Sequence, residues 1–288
     1  MESIPQFLFL FLLLFFSFIL FKRVKTIKRN ILLGDKKYKT STKKETRLKN
    51  LILVAFGQSK MFKKMTPAIL HLMIYSGFII INIEIIEIIL DGILGTHRIF
   101  NMIGMPYYNV FISIIEFFII LVLISCVIFL VRRNFMNINR LKSSELKGWP
   151  TLDANLILIF EIILMVAILT MNASDLILQD HGKYNFTGNF YFSATLKPLL
   201  INFSTDSLVI VERTFWWIHI IGIFLFAVYV TYSKHLHIFL SFPNIYYSDD
   251  NEKGKMSNMD SITNEIKIMM GISTEEVNEP PKRFGAKD

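Results

Sequence analysis

Residues 212–240 read ERTFWWIHIIGIFLFAVYVTYSKHLHIFL, a stretch that is apolar enough to span a bilayer and yet contains three of the six histidines. The pattern predicts one long helix over about 213–240. At about 100° per residue, the separation of His219 from His237 makes five whole turns, so both imidazoles are expected on one face, roughly 27 Å apart. That separation is close to the thickness of a hydrocarbon core, whereas His235 falls on nearly the opposite face.

The composition places most of the chain in lipid. Of its 288 residues, 53% are hydrophobic, 27 are Phe, and the mean hydropathy is +0.47. We therefore predict an all-α integral membrane protein. The net charge is +8, and the basic residues lie mainly in two loops between apolar runs. This placement favours a role in setting the orientation of the chain in the membrane and argues against a nucleic-acid partner. Cys126 is the only cysteine, so this segment cannot hold a Cys-ligated cluster of its own.

Five apolar runs predict five membrane-spanning helices. Their approximate bounds are 4–21, 66–95, 110–131, 152–178 and 213–240. The loop after the first run carries twelve Lys or Arg residues against Asp35 and Glu45, and the loop after the third run is basic as well. Because short basic loops stay in the cytoplasm, we expect the N-terminus outside and the C-terminus in the cytoplasm.

The chain changes character after the fifth run. Residues 1–241 are expected to form the membrane domain, and residues 242–288 a polar cytoplasmic linker with a short amphipathic helix at 261–270.

Four of the six histidines lie in or at the ends of the second and fifth predicted spans: His71, His219, His235 and His237. A single membrane histidine often bonds to a neighbouring helix, but this grouping favours ligation of haem iron. Antiparallel spans place His71 and His237 at comparable height near the inner surface. We pair them, with His235 as the alternative ligand.

The outer partner of His219 is harder to choose. The position level with it on the second span is near Ile89, which cannot bind metal. His97 and His181 are the available candidates, and either requires a tilted haem or a loop that folds back over the bundle. We prefer His97.

Carboxylates within the predicted spans form the second group of candidates. Glu84, Glu87 and Asp91 share one face of the second span, while Glu116 and Glu161 lie in the third and fourth. Such groups face a bundle interior and often mark proton paths, for which Glu84, Glu87 and Glu161 are the candidates. The alternative is structural pairing with Arg98 or Arg213.

Three motifs carry a family resemblance: PAILHLMIY around His71, WWIHIIG around His219 and SKHLHIFL around His237. With five spans in the predicted orientation, the chain resembles the cytochrome b (gamma) subunit of respiratory nitrate reductase and the membrane subunits of heterodisulfide-reductase-like enzymes. The resemblance implies two b-type haems between helices two and five, in a bacterial inner membrane. The family's second histidine on helix two would fall near Ile81, where this chain has none, so one or two haems are expected.

Further segments, GILGTHRIF, YSKHLHIFLSFPNIYYS and PKRFGAKD, look like bacterial iron–sulfur oxidoreductases in which a ferredoxin-like domain follows the membrane domain. The resemblance implies that 4Fe-4S clusters lie in such a downstream domain, absent from this sequence, or in a partner. The expected partners are membrane lipid, a quinone, and a cytoplasmic iron–sulfur or flavin oxidoreductase subunit.

The resulting hypothesis is a membrane subunit that passes electrons between cytoplasmic iron–sulfur clusters and the quinone pool through b-type haem, without catalysis of its own. The alternative is a haem-free membrane anchor or a proton-coupled transporter. The transporter hypothesis rests on the intramembrane acids, but the sequence shows no inverted repeat of the kind common in transporters.

Overall fold

The computed structural model describes residues 4–34, 43–136, 138–248 and 260–271, and every regular element within these ranges is a helix. The α-helices are α1 (Ile4–Ile31), α2 (Lys44–Asn50), α3 (Met65–Leu94), α4 (Met105–Asn134), α5 (Trp149–Asp180), α6 (Lys197–Leu200), α7 (Thr205–Val230), α8 (His237–Tyr246) and α9 (Asp260–Met269). A short π-helix, Leu51–Phe56, continues directly from α2. The all-helical class that the sequence predicts is confirmed for the described residues.

Four helices are long and apolar enough to cross a bilayer, namely α1, α4, α5 and α7. They coincide with the first, third, fourth and fifth predicted spans. The remaining predicted span coincides with α3, and its crossing of a membrane stays a prediction, as does the orientation of the termini. The expected amphipathic helix is α9, while PKRFGAKD and most of the predicted linker lie outside the described residues.

The inner end of α7 differs from the sequence prediction. The helix ends at Val230 instead of continuing to about residue 240, and a turn and a 3-10 segment separate it from α8. Tyr229 and Ser233 donate hydrogen bonds to the Asp153 carboxylate of α5, with oxygen–oxygen distances of 2.6 and 2.9 Å. These tertiary bonds hold the chain in a turn, so His219 and His237 do not share one continuous helix.

The chain divides into two compact units, the first from Met1–Val24 and Ser59–Ile238 and the second from Lys25–Gln58 and Phe239–Asp288. In the first, α5 packs mainly against α7 and α4, and α3 packs against α4. The buried core between α3, α4 and α5 comprises Ile81, Ile115, Ile119, Val122, Cys126, Leu164, Met165, Ile168, Leu169 and Met171. This apolar middle separates a polar outer end from the inner histidines.

Two glycines allow close approaches between helices of the buried core. A Cβ added at Gly77 of α3 would lie 2.3 Å from Cγ2 of Val122 in α4, and one added at Gly222 of α7 would lie 2.6 Å from Cδ2 of Leu164 in α5. Because both neighbours are buried core side chains, neither can move away without disturbing the packing. Glycine therefore sets the distance between these helix pairs.

We expect Gly77→Val to lower the free energy of unfolding by about 1–3 kcal/mol, because overpacking forces α3 away from Val122. Reversible unfolding of the detergent-solubilised chain measures the change. Gly34→Val is the matched control, since the nearest atom to its added Cβ would be the Ile31 carbonyl oxygen at 3.8 Å. Equal stability of the two variants would contradict the proposed role of Gly77.

Candidate functional site

The inner histidines lie close together. His71 is on α3, His235 is in the 3-10 segment, and His237 begins α8. The ring centroids of His235 and His237 are 5.7 Å apart. Burial lowers the pKa of His235 to about 4, and the nearby His237 and, more weakly, His71 act in the same direction. His235 is therefore neutral at pH 7, and all three imidazoles are within electrostatic reach of one another.

Two of these rings offer a nitrogen suitable for a metal. The Nδ1 atom of His237 lies 3.0 Å from the Lys234 carbonyl oxygen, so Nδ1–H donates and Nε2 keeps its lone pair. The Nδ1 atom of His71 is buried without a hydrogen-bond partner. The structure thus brings the predicted inner pair and its alternative, His235, into one neighbourhood.

Asp153 holds the turn from which the inner histidines project. Besides the hydroxyls of Tyr229 and Ser233, its carboxylate accepts the backbone N–H of Lys234 at 3.4 Å. The Lys234 ammonium also donates to the Pro150 carbonyl oxygen at 2.7 Å. The first turn of α5 therefore fixes the segment that leads into His235 and His237.

His219 occupies a different environment, fully buried between α7 and α5. Its Nδ1–H donates to the Leu164 carbonyl oxygen at 3.0 Å, while Nε2 has no hydrogen-bond partner. The absence of a side chain at Gly222, one turn further along α7, permits this approach to Leu164. A carbonyl that fixes one ring nitrogen and leaves the other bare is the usual support for a metal-ligating imidazole.

The candidate outer partners of His219 make other contacts. The Nε2 atom of His97 lies 3.5 Å from Oδ1 of Asp175, and its ring packs against Tyr184 with centroids 4.6 Å apart. His181 is exposed and bonds to Thr205 at 3.2 Å. No hydrogen bond or ring contact in the described part of the chain joins either residue to His219. Haem ligation by His97 stays a prediction.

The acids at the outer end surround one buried cation. The guanidinium of Arg98, which is 7% exposed, lies 3.1 Å from Asp175 and 3.5 Å from Glu84. It also donates to the Asn172 side chain at 2.6 Å and to the Tyr108 hydroxyl at 3.5 Å. Glu84 therefore has a structural partner, although its Oε2 atom has none.

The neighbouring acids on α3 hold the turn that carries Arg98. Asp91 accepts the backbone N–H groups of Arg98 and Ile99 at 2.8 and 3.1 Å. Glu87 accepts the backbone N–H of Phe100 at 2.9 Å and the Tyr108 hydroxyl at 3.0 Å. Their spacing on one helix face serves this turn, which accounts for both residues without a proton path.

Glu116 and Glu161 differ from each other. Glu116, buried on α4, accepts the backbone N–H groups of Phe192 and Ser193 at 2.9 and 3.4 Å, and so anchors the loop before α6. Glu161 is half-buried on α5. Glu116 thus has a structural role, whereas none of the hydrogen bonds found among the described residues involves Glu161.

A cavity of about 470 Å³ opens beside this ion-pair cluster. Its walls are apolar on the side of Phe9, Trp216 and Trp217 and charged on the side of His97 and Arg213. The Arg213 guanidinium binds the carboxylate of its neighbour Glu212, which also lines the cavity. A cavity of this size, lined by both apolar and charged side chains, suits a small aromatic ligand with polar ends.

The sequence interpretation missed Asn172 and Asp175. Both lie on α5, three residues apart, and both bind Arg98. The available signal was a pair of polar residues at helical spacing inside an apolar run.

No protein-family model matches the chain, and no solved structure is significantly similar to it. The chain is 30% identical over 248 residues to a protein of Bacillus subtilis (strain 168) described as a probable iron-sulfur-binding oxidoreductase, FadF. The match covers 86% of this chain but only 33% of the relative's length. It supports the expected relationship to iron–sulfur oxidoreductases, while the resemblance to the nitrate reductase gamma subunit stays a prediction. The described residues contain no group of three or more His, Cys, Asp or Glu side chains placed to hold a metal ion.

We expect Arg98→Ala to destabilise the fold by about 3–5 kcal/mol, because it leaves Glu84 and Asp175 buried without a counter-charge. Chemical unfolding of the purified chain measures the loss. Arg29→Ala, at an exposed position of α1, should change stability by less than about 0.5 kcal/mol. Arg98→Lys should fall between them, since a lysine keeps the charge but not the fork that reaches Asp175 and Asn172. A loss no larger than that of Arg29→Ala would refute the buried ion pair.

Proposed function

We propose that this chain is the membrane electron-transfer part of an iron–sulfur oxidoreductase, which passes electrons between cytoplasmic iron–sulfur clusters and a quinone through b-type haem. The observation that carries the proposal is the state of His219, whose Nδ1–H is held by a carbonyl while its buried Nε2 has no partner. A histidine that served only packing would gain stability from a second bond.

The residues at the inner end fit a haem b. His71 and His237 would hold it, His71 through its unpartnered Nδ1 atom and His237 through Nε2, since Nδ1 of His237 bonds to the Lys234 carbonyl. His235 is the alternative to His237. When bound, haem supplies one-electron transfer. The protein's own part is to fix ring orientation, which the carbonyls of Lys234 and Leu164 and the turn held by Asp153 achieve. At the outer end, His219 fits as one ligand, with His97 as the proposed second.

The proposed site of the quinone is the outer cavity. Trp216 and Trp217 offer flat apolar surfaces to a quinone ring, and His97, Arg98 and Arg213 in the same lining offer hydrogen-bonding groups to its oxygens. Trp216 lies three residues before His219, on the same side of α7, so a quinone there would be one helical turn from the proposed outer ligand. The iron–sulfur clusters would belong to a cytoplasmic domain or subunit, and FadF is itself described as iron-sulfur-binding.

Haem content tests the electron-transfer proposal directly. We expect the full chain, purified from haem-replete cells, to give a b-type pyridine haemochrome spectrum. His71→Ala and His237→Ala should lose the same spectral component, because each removes one ligand of one haem. His219→Ala should lose a different component.

His181→Ala separates the two candidate outer ligands, because His97 is the proposed one and His181 is exposed and bonds to Thr205. It should keep the full haem content. A protein that purifies without colour would contradict the proposal and favour a haem-free anchor or transporter. Unchanged haem in both His71→Ala and His237→Ala would contradict the inner pair alone.

Equilibrium binding of a short-chain quinone analogue tests the cavity separately. We expect Trp217→Ala to weaken binding about tenfold, since the variant removes one flat apolar wall. Trp149→Ala removes an exposed tryptophan outside the cavity and should leave binding unchanged. Equal affinity of the two variants would place the quinone elsewhere.

A further inference from the structure

The segment Lys44–Phe56, in the second compact unit, combines two unlike halves. Its first half, α2, has the sequence KETRLKN, and its second half, the π-helix, has the sequence LILVAF. The segment lies in the chain between two long apolar helices, α1 and α3. An apolar run of this length is too short to cross a bilayer.

The segment presents an apolar stripe that the protein does not cover. Leu48, Ile52 and Phe56 follow one another at four-residue intervals and are 53–54% exposed. Leu53, beside them, is 49% exposed. Ala55 is buried at 1%, which gives the segment one covered and one open side. We call Leu48, Ile52, Leu53 and Phe56 the Leu48 stripe.

The segment contacts α8 within the same unit. The ring centroid of Phe56, at the end of the stripe, lies 4.9 Å from that of Phe242 in α8, and the Arg47 guanidinium lies 6.0 Å from the Tyr246 ring. Phe56 is nevertheless 53% exposed, and Phe239 of α8 and Tyr247 just after the helix are 58% and 64% exposed. The segment and α8 therefore both present open apolar surface.

The charges beside the stripe are nearly all positive. They are Lys43, Lys44, Arg47 and Lys49, with Glu45 as the one acid between Lys43 and Phe56. Basic residues next to an exposed apolar stripe are the features of a helix that lies in a membrane surface, where ammonium and guanidinium groups meet anionic headgroups. A soluble partner would also cover the stripe, but a lipid surface is favoured because the segment follows, in the chain, a helix that is long and apolar enough to cross a bilayer.

We propose that Lys44–Phe56 lies in the membrane interface, with the Leu48 stripe among the acyl chains and its basic residues on anionic lipid headgroups. The occupant of the apolar surface is thus a lipid surface. The interfacial contact itself does not depend on haem or quinone.

Site-directed spin labelling of the full chain in nanodiscs tests the proposal. The background is Cys126→Ala, because Cys126 is the only cysteine. One label is placed by Ile52→Cys on the stripe. The matched control label is placed by Lys43→Cys, at an exposed lysine that is not three or four residues from any member of the stripe. Collision rates with dissolved oxygen, which enters lipid, are compared with those of a water-soluble nickel chelate.

We expect the ratio of oxygen to nickel collisions to be at least about threefold higher at Ile52 than at Lys43 in bilayers with phosphatidylglycerol. The contrast should shrink in pure phosphatidylcholine, where anionic headgroups are absent. Leu48→Cys provides a second stripe position if Ile52→Cys does not fold.

Three results would overturn the proposal. Equal access of the nickel chelate to Ile52 and Lys43 would show that the stripe lies in water. Low access of both reagents at Ile52 would show a stripe covered by protein. If the difference in collision ratio between the two labels were the same in both lipid compositions, anionic headgroups would have no part in the contact.

Discussion

The pairing of the buried Arg98 guanidinium is the constraint on which the outer half of the first unit depends. A cation removed from water is stable only with excellent partners, since its desolvation costs several kcal/mol. Glu84 supplies one partner from α3, and Asp175 and Asn172 supply two from α5. Because Arg98 follows α3 after only a short turn, these contacts draw the turn inward. The wall of the cavity at His97 and Arg98 is therefore positioned by ion pairs.

The inner end reaches the same kind of rigidity with weaker groups. Asp153 collects hydroxyl and backbone donors from one short turn, and the Arg133 guanidinium adds only a longer-range attraction. Like the guanidinium of Arg98, this carboxylate is buried, with 2% of Asp153 exposed. Each cluster thus fixes a turn that carries a candidate histidine, His97 in one case and His235 in the other.

Much of the fold follows from local sequence, but the site does not. Length and hydropathy predict α1, α4, α5 and α7 because a long apolar helix is specified by its own residues. The end of α7 at Val230 could not be predicted in this way, since Asp153, far away in the chain, imposes the turn. The face shared by Glu84, Glu87 and Asp91 was predictable from spacing. Asp175, which binds the same Arg98 guanidinium from α5, was overlooked because an average over an apolar run conceals one acid.

The unpaired ring nitrogens are the features that packing explains least. A buried acceptor without a donor costs about 1–3 kcal/mol, and an apolar side chain of similar size at the position of His219 would avoid that cost. The Leu164 carbonyl recovers one bond and at the same time fixes the tautomer, so the lone pair stays on Nε2. His71 has the same defect at the inner end of α3. Two such nitrogens, one in the first third of α3 and one midway along α7, have no hydrogen-bond partner among the described residues. Both are explained together if each binds an electron-accepting metal centre.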